Sequence, residues 1–268
     1  MRLIVLTKPF GSTGVGRLAD RLASLGVDGA DLLVRAGQAV TPDAPEGIGA
    51  AARTLVRAGL GLDIVTTDLT TAGPQAERII GSCAEAGVPL VRIGFYRYPE
   101  HGDYATCLDE ARRQLDSLVH LAAAHGVRPA LQLHHGTLHI SAAHALRLLE
   151  GHGDVLVYAD PGNQAKEGSE DWRLGLDMLG IERIGCVGVK NAVWRRGTRG
   201  WECDWQPLAD GGVVNWPKIL PELLRRGYRG PLSLHVHYPF ESLEHVLQRD
   251  VDHLRGLVAD ARRENETR

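Results

Sequence analysis

The chain has 268 residues, 44% of them hydrophobic, and a formal net charge of -3. That length suits one sizeable domain, residues 1–268, and the faintly acidic balance argues against nucleic acid or another polyanion as a partner. No apolar run approaches the roughly 18 residues of a membrane span, so a membrane is not an expected partner either.

The elements follow a repeated rhythm. Leu3–Thr7 is apolar and β-branched, too short for a signal-peptide core, and reads as a first strand. Gly14–Leu25 then places Leu18, Leu22 and Leu25 at helical spacing. A strand at Asp31–Arg35 precedes a helix at Ile48–Ala58, and a strand at Leu62–Thr67 precedes a helix at Pro74–Ala86 that Gly87 ends. A strand at Leu90–Phe95 leads to a long helix at Tyr104–His125, with Leu108, Ala111, Leu115 and Leu118 along one stripe. Next come a strand at Pro129–His134 with a helix at Ala142–Glu150, and a strand at Asp154–Asp160 with a helix around Asp171–Leu179. The last units pair Ile184–Lys190 with Trp216–Arg226, and Pro231–Val236 with Leu243–Arg262. Residues 262–268 read as a frayed, solvated tail. The four cysteines, Cys83, Cys107, Cys186 and Cys203, form no CxxC pair. Reduced thiols and a cytoplasmic location are expected.

Strands alternating with helices imply parallel pairing, and eight such units match a single closed (β/α)₈ barrel of the α/β class. A doubly wound open sheet is the alternative. It is weakened because Gly11-Ser12-Thr13-Gly14-Val15-Gly16 has the wrong spacing for a dinucleotide turn, and no Gly-Lys-Ser/Thr follows for a phosphate loop. The stretch Ala192–Val213 is long and carries Trp194, Trp201 and Trp205. It reads either as a lid or substrate wall, with Trp194 a candidate contact, or as a loop packed on its own tryptophans.

Four strand ends finish in residues an interior does not normally tolerate: Gln132 and His134, Asp160, Lys190, and His235 with His237. Side chains at i and i+2 share a face of a strand. Gln132, Asp160, Lys190 and His235 are therefore expected to surround one point at the carboxyl end of a barrel, where chemistry sits. His235, His134 and Lys190 are the candidate bases, and Lys190 is alternatively a fixed cation or, less favoured, a Schiff-base nucleophile. Arg92, Lys8 and His237 are candidate contacts for an anionic substrate, although a rim salt bridge is the preferred reading of Arg92 and Lys8. His101, His120, His125, His139, His144, His152, His245 and His253 fall on helices or loops and are read as solvated or capping.

Here a resemblance emerges. The segments Leu131-Gln132-Leu133-His134-His135-Gly136-Thr137, Tyr158-Ala159-Asp160-Pro161-Gly162-Asn163, Val187-Gly188-Val189-Lys190-Asn191, Asp210-Gly211-Gly212-Val213-Val214-Asn215-Trp216 and Gly227-Tyr228-Arg229-Gly230-Pro231-Leu232-Ser233-Leu234-His235 stand in this order. Together they resemble the xylose isomerase-like barrel superfamily of sugar and sugar-phosphate isomerases and epimerases. The resemblance implies a divalent metal held by a Glu, an Asp, a His and a second Glu at strand ends, the glutamates also serving as acid and base. Those places fall on Gln132, Asp160, Gly188 and His235, so only the aspartate is retained. Asp160, His235 and Gln132 remain as an open three-ligand set for Mn, Mg, Co or Zn, with Asp160 the sole anion.

The leading expectation is thus a carbohydrate isomerase or epimerase that abstracts a proton next to a carbonyl. A lyase or dehydratase acting on an oxidised sugar or polyol comes second, and a non-catalytic sugar-binding barrel third. A homo-oligomer remains an open expectation.

Overall fold

The computed structural model describes residues 1–167, 170–198 and 200–267. Its strands are β1 (Arg2–Leu6), β2 (Gly29–Leu33), β3 (Gly61–Thr66), β4 (Leu90–Arg92), β5 (Arg128–Gln132), β6 (Leu156–Ala159), β7 (Ile184–Val189), β8 (Asn191–Gly197), β9 (Gly200–Gln206) and β10 (Pro231–Leu234). All but β8 and β9 run parallel and close into one barrel in the order β1-β10-β7-β6-β5-β4-β3-β2. Pairs such as Leu3↔Leu232 and Val5↔Leu234 complete the ring. The expected (β/α)₈ barrel is therefore what this chain forms, and the open sheet is not.

Its helices are α1 (Val15–Ser24), α2 (Gly47–Arg57), α3 (Pro74–Glu85), α4 (Tyr104–Ala124), α5 (Ala142–Leu148), α6 (Pro161–Glu167), α7 (Trp172–Leu179), α8 (Trp216–Arg225) and α9 (Leu243–Glu266). The longer helices present apolar stripes to the outside of the barrel: Leu18 and Leu22 on α1, Leu108, Leu115 and Leu118 on α4, and Leu247, Val251 and Leu254 on α9 are all buried. No helix among the described residues is long and apolar enough to cross a membrane. Arg262–Glu266, expected as a frayed end, continue α9 as exposed helix, and Arg268 lies outside the described residues.

Inside the barrel the strand period sorts residues by height. Ile4, Ile64, Leu90, Ala130, Leu156 and Cys186 form an apolar floor with Tyr158. Two residues further along β3, β4 and β5, on the same face, come Thr66, Arg92 and Gln132, all buried. Four residues beyond Leu156 and Cys186 lie Asp160 and Lys190. The polar layer is thus the top of the same inward stripe whose bottom is apolar.

Two differences from the sequence reading shape this top. Pro161-Gly162-Asn163, expected as a turn that stops a strand, forms the first turn of α6 instead. Proline suits a first helical position, and the Asn163 N–H donates to Asp160 Oδ1 at 2.9 Å in the manner of an N-cap. The long stretch after Lys190, expected as a loop, is regular. It is an antiparallel hairpin of β8 and β9, with Asn191↔Gln206 and Ala192↔Trp205 in register, and its Arg199 lies outside the described residues.

Candidate active site

Asp160 organises the centre. It is wholly buried, and its Oδ2 accepts from Gln132 Nε2 at 2.7 Å and from Lys190 Nζ at 2.9 Å. Lys190 Nζ also donates to Asn163 Oδ1 at 2.7 Å, while Asn163 Nδ2 donates to the Leu133 carbonyl. The lysine reaches that position only because residue 162 has no side chain. A Cβ on Gly162 would fall 2.6 Å from Lys190 Cγ and 2.8 Å from Cε. Gly162→Ala should therefore push the lysine off Asp160 and destabilise the fold by about 1–3 kcal/mol, as overpacking does. A lowered melting temperature checks this; an unchanged one would mean the lysine has another resting place.

His235 approaches from β10. Its Nδ1 stands 3.9 Å from Asp160 Oδ2 and has no hydrogen-bond partner. Its Nε2 lies 2.8 Å from the Tyr158 hydroxyl, which donates to Asp31 Oδ2 at 2.9 Å. Asp31 is fully buried and also accepts from Ser233 Oγ at 2.9 Å and Thr66 Oγ1 at 2.6 Å. Burial pushes the Asp31 carboxyl pKa up, and these three hydroxyls pull it back. With the Tyr158 proton committed to Asp31, the phenol oxygen accepts from His235 Nε2–H. The unpartnered lone pair is then on Nδ1, which is buried. Asp31 is missed by the sequence reading, which treats it as the start of a strand; a carboxylate inside an apolar β-run was the available signal.

Lys8, Arg35, Arg92, Gln132, His134, Lys190, His235 and His237 line one cavity above this network. Arg92 is buried rather than forming the rim salt bridge preferred for it. Its guanidinium lies 4.5 Å from the Phe95 ring centroid, its Nη1 donates to the Ile93 carbonyl, and its Nε has no partner. Burial lowers its pKa to about 10, against the opposing pull of Asp31. Arg35 is paired with Asp68, its Nε 2.6 Å from Oδ2. The Lys8 ammonium has no carboxylate partner among the described residues; burial, then Arg35 and Arg92, lower its pKa.

The histidines are neutral in this setting. Burial, then Lys190 and other cations, drives His235 well below the usual imidazole range and His237 to about 2. His134 falls to about 3, chiefly through burial, and its ring sits 4.0 Å from that of Phe95. For Lys190, burial lowers the pKa and Asp160 raises it.

Trp194 does not reach this cavity. It is 39% exposed and donates from Nε1 to the Ala165 carbonyl on α6. Trp205, on the partner strand of the hairpin, packs against the site instead, its ring centroid 4.6 Å from Lys190 Nζ and 6.2 Å from that of His237. Both tryptophans share one face of the hairpin, and the register decides between them: Trp205 pairs with Ala192 at the base, two residues past Lys190, whereas Trp194 pairs with Cys203 further out. His139 departs from its solvated reading: it is fully buried, with Nδ1 2.8 Å from the Gln132 carbonyl and Nε2 accepting from the Tyr96 N–H. It props the end of β5.

The donor set does not fit a divalent ion. Both oxygens of Asp160 are engaged by N–H donors, and residue 188 offers no ligand. A Cβ there would already stand 2.9 Å from Asp160 Oδ2 and 3.1 Å from Tyr158 Cε2. Among the described residues, no three His, Cys, Asp or Glu side chains gather in a ligating cluster. Unit charges about 4 Å apart repel by roughly 4 kcal/mol at an effective dielectric of 20, and a divalent ion beside the Lys190 ammonium doubles that.

Three solved structures show the same fold at low identity. A xylose isomerase-like TIM barrel protein from Mycobacterium smegmatis, in complex with magnesium, aligns with TM-score 0.72 at 18% identity over 97% of both chains. The apo form of 3-keto-D-glucoside 4-epimerase from E. coli aligns with TM-score 0.74 at 14% identity, over 96% of this chain and 99% of that one. A probable 3-DHS dehydratase from Bacillus anthracis aligns with TM-score 0.71 at 15% identity, over 95% and 99%. No curated protein matches the sequence. The family model described as the xylose isomerase-like TIM barrel matches residues 19–257, most of the length, and so the chain belongs to that family.

Proposed function

We propose that this chain is an enzyme that removes a proton from the carbon beside a carbonyl in an anionic carbohydrate, a sugar acid or sugar phosphate. The observation that carries this reading is the pairing of His235 and Lys190 in one cavity. His235 Nδ1 is bare while its other nitrogen is engaged by Tyr158, and an ammonium is held nearby on Asp160. A base that takes the proton leaves an enediolate, whose oxygen a fixed cation stabilises; the proton then returns to the neighbouring carbon. The pKa of a lone imidazole this depressed makes it a weak base. Because Lys190 and Arg92 contribute to the depression, an anionic substrate that offsets their charge raises the basicity of His235 as it binds.

Gln132 bears on the reaction type. It cannot ionise and donates to Asp160, so only one face of the substrate meets a strong candidate base. One-base chemistry needs no inversion: the proton moves between adjacent carbons, as in an isomerase, or a β-hydroxyl leaves as water, as in a dehydratase. The same feature weighs against two-base epimerisation. Solved relatives include both an epimerase and a probable dehydratase, which makes elimination the second reading.

The test is incubation with ketoses, uronates and sugar phosphates in D₂O, followed by NMR. Exchange of the hydrogen beside the carbonyl is expected for anionic members of the panel and markedly less for neutral analogues. No exchange with any member, alongside saturable binding, would favour a sugar-binding barrel without catalysis.

A further inference from the structure

We propose that the ammonium of Lys190 stands where a divalent cation would otherwise act, so that the site carries its own cation and works without a metal. This deepens the reading above and rests on it for the reaction, but not for the ion binding. Three groups converge on Lys190 Nζ, and a fourth makes room for its stem. Asp160 spends Oδ2 on it at 2.9 Å. Asn163, two residues into α6, turns its carbonyl oxygen to it at 2.7 Å. Gly162 leaves the space through which the lysine stem runs, and Trp205 lays its ring face 4.6 Å away. An aromatic face, a carboxylate and an amide oxygen are partners for a monovalent ammonium.

The surrounding residues are consistent with a built-in cation. Gln132 turns an N–H donor, not an oxygen, toward Asp160 Oδ2. Gly188 leaves room for Asp160 and Tyr158 rather than supplying a ligand. An ammonium also differs from a metal in what it offers a substrate. It has three N–H donors, two of them used by Asp160 and Asn163, which leaves one for a single developing oxyanion. Two vicinal oxygens could not both be chelated, as a metal would allow. The favoured substrates should therefore be recognised through one carbonyl oxygen plus a separate anionic group facing Lys8 and Arg92, both of which line the same cavity.

The experiment measures Mn²⁺ binding by EPR, with turnover followed in parallel. Wild-type protein should bind no stoichiometric Mn²⁺, and its solvent exchange should be the same with chelator or with added Mn²⁺. The double variant Gln132→Glu/Lys190→Met, which adds a carboxylate and removes the ammonium, should gain about tenfold or more in Mn²⁺ affinity. Stoichiometric Mn²⁺ on the wild type, lost together with turnover on chelation, would overturn the inference, and so would a double variant with no gain. Borohydride reduction in the presence of a ketose should leave the protein mass unchanged; an adduct on Lys190 would make it a nucleophile instead. EPR reads the ion site even if no substrate is found, so failure here is distinct from failure of the proposed reaction.

Discussion

Replacing Lys190 with methionine should lower turnover by about 10²–10³-fold, the loss typical of removing one well-placed electrostatic donor. The variant also leaves Asp160 buried without its cation, and breaking such a pair typically costs about 3–5 kcal/mol. A fall in activity alone therefore does not separate chemistry from folding. The double variant Lys190→Met/Asp160→Asn does. With the buried charge neutralised on both sides, the amide oxygen at position 160 can still accept from the Asn163 N–H, and the Gln132 amide can turn its oxygen to accept from the new NH₂, so the melting temperature should recover. Turnover should not. Recovery of both would mean that the pair only holds the barrel top together.

His235→Gln should cost about 10²–10⁴-fold in rate, the range for a positioned base. Glutamine keeps a polar group of similar reach near Tyr158 but has no proton-accepting nitrogen. The competing reading makes His235 a purely structural partner of the Tyr158 hydroxyl and, at longer range, of Asp160. It predicts the reverse pattern, a lowered melting temperature with rate retained. Thermal melting and solvent exchange measured on the same variant distinguish the two.

The barrel was legible because its signals are local and repeated. Apolar β-runs, amphipathic helices and glycine stops recur along the chain, and parity along each run marked Gln132, Lys190 and His235 as inward. Asp160 was legible for a different reason, a carboxylate at the end of an apolar run. What the sequence hid are relations between distant segments. Asp31 meets Tyr158, 127 positions away, and Ser233, 202 positions away, and nothing near it in the chain marks that meeting. Arg92 lies at the end of its strand, as expected, but it is buried there rather than salt-bridged at the rim, because the Phe95 ring and the Ile93 carbonyl pack against its guanidinium. Trp205 and Trp194 are equivalent in composition, and only the hairpin pairing puts one over Lys190 and the other against α6. The family resemblance pointed to a metal at Asp160, whereas the Lys190 ammonium, whose reach no spacing rule gives, is what donates to that carboxylate.

The most direct measurement is hydrogen exchange beside the carbonyl of an anionic ketose in D₂O, followed by NMR with chelator present, for wild type and His235→Gln side by side. Exchange is expected with the wild type despite the chelator, falling by about 10²-fold or more in His235→Gln while the melting temperature stays close to wild type. Equal exchange in the two proteins, or wild-type exchange that appears only when a divalent metal is added, would contradict a histidine base working with a lysine cation.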